Sequence, residues 1–140
     1  MRVHGWTTVV AGLVSVSLLL GACGSSGGPL DAAALDTQAT TLHGLAGEGS
    51  VMATATEAGH LLGPYRRVHS RELADEAGLV AAALDAEVAD ESLRDRQRQL
   101  HADAMAIAAA FTALAAPTVD AGQAQRVNDA FERTAASTSS

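Results

Sequence analysis

The chain has one cysteine, Cys23, in 140 residues. A lone thiol excludes an internal disulfide, so any fold must be held by packing. Lysine is absent altogether. All nine basic residues are arginine, set against sixteen acidic ones, for a net charge of −7. Nucleic-acid binding needs clustered positive charge, and this balance argues against it. Aromatic residues make up only 3% of the chain, and runs of alternating β-branched residues are missing. Strands draw on both kinds of residue, so their scarcity argues against a sheet. The His-Glu-x-x-His signature of zinc peptidases is absent, and the glycines at 44, 47 and 49 follow no strand of the kind that precedes a phosphate loop. Catalysis and a bound cofactor are therefore not expected.

What the chain does have is alanine, the best helix former, and apolar residues spaced three and four apart. Leu35, Leu42, Leu45, Met52, Thr56 and Gly59 make one such face between Leu30 and Leu62. Asp31 is positioned to cap it. Gly44, Gly47 and Gly49 weaken this segment, since each glycine costs about 1 kcal/mol against alanine in a helix. They allow either a continuous helix with close packing or a break. Gly63-Pro64 ends the segment. A second face, Leu73, Ala77, Val80, Leu84 and Val88, starts in the stretch Pro64 to Ser70. A third comprises Leu93, Leu100, Ala104, Ile107, Phe111 and Leu114. The two are about one residue out of phase, a rotation of about 100°, and Asp90 can cap a new start. A turn is expected there. Pro117 closes the third helix, and Thr118 and Asp120 suit the start of a fourth, which carries Ala124, Val127, Phe131 and Ala135 on one face. Short connections favour antiparallel neighbours. The expected fold is an all-α, up-down antiparallel bundle of four helices, or three if Asp90 does not break the chain.

The first residues read differently. Arg2 and the α-amino group give a short positive start, followed by the twelve apolar or small residues Val9 to Leu20. That run has the length of a secretory h-region and is short for a membrane span. It ends in Leu20-Gly21-Ala22-Cys23. This tetrad resembles the lipobox of bacterial lipoproteins. The resemblance implies cleavage before Cys23, a diacylglyceryl group on its sulfur, and a further acyl chain such as palmitate on the new amine. On that reading residues 1–22 are a signal peptide and 23–30 are the lipidated cysteine with a Gly/Ser tether. Residues 31–136 are then the bundle, and 137–140 a disordered tail. The membrane becomes one partner, bound through Cys23 on the extracytoplasmic face of the cell membrane. One acyl chain anchors only marginally, at about 0.8 kcal/mol per buried methylene, whereas two or three hold durably. Alanine buries little area, so modest stability is expected unless an unidentified protein partner or a homo-oligomer adds burial. The element "GPYRRVHSREL", residues 63–73, lies between two alanine-rich segments. It is similar to small alanine-rich lipoproteins of actinobacteria, a likeness that implies no activity.

One constellation carries metal-ligand chemistry. Glu57 and His60 precede the Gly63-Pro64 turn, and His69 and Glu72 follow it, each pair three residues apart. On helices, each pair shares a face. A hairpin that joined them would offer two carboxylates and two imidazoles, a donor set suited to zinc or iron. Against this, Arg66, Arg67 and Arg71 stand ready to take the carboxylates as exposed ion pairs. His101 and Met105, one helical turn apart, form a His/Met pair of the sort that ligates haem, but His101 lies beside the core stripe and not on it.

Overall fold

The computed structural model describes residues 28–138. They form four helices: α1 (Ala32–Glu57), α2 (Gly63–Ala83), α3 (Arg94–Leu114) and α4 (Ala121–Thr138), with a short 3-10 turn, Glu91–Leu93, leading into α3. Among the described residues there is no strand, and no helix is long and apolar enough to cross a membrane. The protein is an all-α helical bundle.

Side-chain contacts fix the directions of the helices. His43 Nδ1 meets the Ala135 carbonyl and Ser50 Oγ meets Asn128, so α1 and α4 run antiparallel. Arg96 pairs with Asp36 near the starts of α3 and α1, which run parallel. The most extensive packing lies within the pairs α1/α4 and α2/α3. Consecutive α1 and α2 touch least among the consecutive helices. The core is the stripe that the periodicity predicts: Leu35, Leu42, Leu45 and Met52 of α1; Leu73, Ala77 and Val80 of α2; Leu100, Ala104, Ile107, Phe111 and Leu114 of α3; Ala124, Val127 and Phe131 of α4. Two phenylalanines sit at its centre with ring centroids 4.7 Å apart.

The caps explain most of the boundaries. The Asp31 carboxylate accepts from the Ala34 amide at 2.8 Å, and Asp120 does the same for Gln123 at 2.7 Å, each satisfying an orphan helix N–H. Pro64 sits in the first turn of α2, where its missing donor costs nothing. The glycine-rich part of α1 does not break. Gly49 is required there: a Cβ would fall 2.7 Å from Phe131 Cδ1 and nearer still to Cε1 and Cζ. At Gly44 and Gly47 a Cβ would meet nothing within 4 Å.

Three boundaries differ from the sequence expectation. The first helix ends at Glu57, short of Leu62. Gly59 takes φ 70°, the His60 amide donates to the Ala55 carbonyl and the Gly59 amide to Thr56, so the last carbonyls are satisfied by a Schellman turn. Thr56 is consequently only half-buried and Gly59 is exposed. The second helix ends at Ala83, so Val88 packs from the following loop and not from a helix. That loop is pinned by Leu30, whose amide donates to Glu87 and whose carbonyl accepts from Ala89. The break foreseen at Asp90 is present, with the Asp90 carboxylate accepting from the Ser92 amide at 2.8 Å. The backbone and Ser92 hydrogen bonds hold the Asp90 carboxyl below the usual carboxylate value. The fourth helix continues through Thr138, where a tail was expected from residue 137. Ser137 Oγ donates to the buried Asp103 carboxylate at 3.0 Å and so keeps the last turn in register. Cys23 and the segment before it lie outside the described residues, as does most of the tether.

Candidate functional site

The metal-ligand constellation separates in the structure. The Schellman turn takes His60 off the helix, so Glu57 and His60 do not share a helical face. Both are exposed. His69 lies on α2 and turns toward α1, where its Nε2 stands 2.7 Å from Glu48 Oε1. Its Nδ1 is 3.5 Å from Glu72 Oε2. Glu72 is exposed. Among the described residues no three His, Cys, Asp or Glu side chains converge to hold a metal ion. The structure thus brings His69 and Glu72 near each other but does not gather Glu57 and His60 with them. The α3 pair also parts: His101 reaches Asp85 at 3.3 Å, while Met105 is exposed.

Arg66 corrects the expectation of surface ion pairs. It is buried, and its guanidinium donates to the carbonyls of Leu114, Ala116 (3.0 Å) and Pro117 (3.4 Å). These carbonyls lie at the C-terminus of α3, the negative end of the helix dipole. A planar five-donor fork suits such a cluster better than an ammonium would. Burial and then the charge of Arg67 lower the Arg66 pKa, and the group remains a cation. Arg67 and Arg71 have no ion-pair partner among the described residues. The residue that takes carboxylates at this hairpin is His69. The sequence signal for it was the apolar phase of α2, which turns Arg66 toward the core and His69 toward the flank.

The same end of the bundle also exposes large apolar side chains. Leu62 is 77% exposed, Val68 56% and Tyr65 55%. They lie on the α1–α2 turn and the first turns of α2. A shallow groove nearby is lined by Ser50, Val51, Thr54, Ala55, Ala58 and His60. The Tyr65 ring lies 5.3 Å from the His69 ring at a tilt of 31°. Partial burial works against a charge on His69. Hydrogen bonds and coulombic attraction from Glu48 and Glu72 outweigh it and raise the pKa above the ordinary histidine value.

Compared with protein-family models, with curated proteins and with solved structures, the chain matches none.

Proposed function

We propose that the chain is a lipid-anchored protein of the extracytoplasmic face of the cell membrane, a non-catalytic interaction module of the cell envelope. The observation that carries this reading is Leu20-Gly21-Ala22-Cys23 at the end of the Val9–Leu20 run, in a chain with no other cysteine. Two features of the fold support it. The chain enters the bundle at Leu30, beside the α2–α3 loop, so an anchor on Cys23 attaches at that end. At 1.5 Å per residue, the 26 residues of α1 put the α1–α2 turn about 39 Å further on. The exposed Leu62, Tyr65 and Val68 are thus carried at the end remote from the anchor, where a partner has free access.

Expression of the whole chain with labelled fatty acid tests the reading. The natural chain should incorporate label and fractionate with membranes. Cys23→Ser should do neither and should retain residues 1–22. Normal maturation of that variant would end the proposal.

A further inference from the structure

We propose that His69 is a proton-operated latch that holds the first half of α2 against α1, closed when the imidazole is protonated and released when it is neutral.

The latch sits at a suitable seam. α2 is fastened on its two flanks by unlike devices. On the α3 side Arg66 grips three carbonyls, and a guanidinium stays charged at any pH the fold survives. On the α1 side the packing is sparse, and His69 supplies a direct polar link through Glu48. Only that second fastening titrates near neutrality. Loss of the proton removes the charge attraction to both carboxylates and leaves at most one neutral N–H bond to Glu48, so the α1 side loosens while the α3 side stays fastened.

Each group that meets the ring selects the imidazolium. From α1 it is the Glu48 carboxylate, at 2.7 Å. From α2 itself it is the Glu72 carboxylate, at 3.5 Å, and the Tyr65 ring, which attracts a cation through its π face. Among the described residues, no charged group of α3 or α4 makes an ion pair with His69. Its side chain is 27% exposed, so solvent protons reach it. The net effect of its surroundings is a raised pKa, in agreement with the geometry.

The next residue favours release. Ser70 is fully buried, and its Oγ has no hydrogen-bond partner. A buried orphan hydroxyl disfavours the closed form, and movement of this turn gives it water. The closed seam thus depends on the latch more than its packing alone would require.

The sign follows from linkage. A group with a raised pKa in the closed form stabilises that form fully below its open-state value, about 6.5, and loses the effect as pH rises through the raised value.

The experiment uses the full chain in detergent micelles. Imidazole NMR gives the pKa of His69, and amide hydrogen exchange gives protection on both sides of it, corrected for the intrinsic rate. The expected result is a His69 pKa above the ordinary value, with protection in the first half of α2 falling as pH rises through it. Each unit of raised pKa corresponds to about a tenfold loss of protection. The α1/α4 amides should keep theirs. Glu48→Gln should bring the His69 pKa down and flatten the pH dependence, with the native histidine still in place. Ser70→Ala should move release to higher pH. Unchanged protection across the titration would overturn the latch, as would a His69 pKa indifferent to Glu48→Gln.

Discussion

Three glycines of α1 should respond to alanine with opposite signs. At Gly44 and Gly47 a Cβ meets nothing within 4 Å, so only the backbone term operates. Each substitution should stabilise by about 0.5–1 kcal/mol, by removing freedom from the unfolded chain and improving helix propensity. At Gly49 the same gain is present, but the new methyl would overlap the Phe131 ring. That ring is fully buried and lies against Phe111, so it has little room to withdraw. Overpacking of this kind costs about 1–3 kcal/mol. Phe131 packs α4 onto α1, and relief would require the two helices to separate. The overpacking less the propensity gain leaves a net loss of up to about 2.5 kcal/mol for Gly49→Ala, with no net gain. For a domain of this size that lowers Tm by about 4 °C per kcal/mol. Thermal and urea melts followed by circular dichroism at the helix band measure all three variants. If Gly49→Ala stabilised as the other two do, the close approach of Phe131 to the α1 backbone would be refuted.

Other perturbations test separate parts of the account. Arg66→Met keeps the side-chain bulk but leaves the carbonyls at the end of α3 without a donor; urea melts should show a loss of about 2–3 kcal/mol. Arg66→Lys should recover only part of it, because an ammonium lacks the planar fork. Asp31→Ala removes the α1 cap and should cost about 1 kcal/mol in the same assay. The contribution of His69 to stability should be whole below about pH 6.5 and decline as pH rises through its raised value, and urea midpoints of His69→Gln should lack that decline.

Much of the fold was legible because helical periodicity is a strong signal. The stripe from Leu100 to Leu114 and the α4 face from Ala124 to Phe131 were read directly, as were the caps at Asp31, Asp90 and Asp120. The ends of α1 and α2 were not, for a physical reason. Pro64 is a conspicuous helix breaker, but the Schellman turn at Gly59 stops α1 first, and that turn depends on one residue's positive φ. Losing those few residues removed His60 from the face it was expected to share with Glu57. Ala83 marks no boundary in sequence, and α2 ends there because Gln97 Nε2 donates to the carbonyls of Leu84 and Ala86, each at 2.6 Å. The roles of Arg66 and His69 depended on which way one helix is rotated about its axis. An arginine beside glutamates reads as a surface ion pair until the packing shows the guanidinium turned toward α3. Glu48 lies 21 residues before His69, and no local pattern joins them.

The central claim is that Cys23 carries lipid. Its most direct test is the intact mass of the protein extracted from the membranes of cells expressing the whole chain, with sequencing of the terminal peptide. The account predicts a chain that begins at Cys23 and bears a diacylglyceryl group, with or without a further acyl chain on the amine. A chain that still begins at Met1, or one cleaved elsewhere with a free Cys23 thiol, would contradict it.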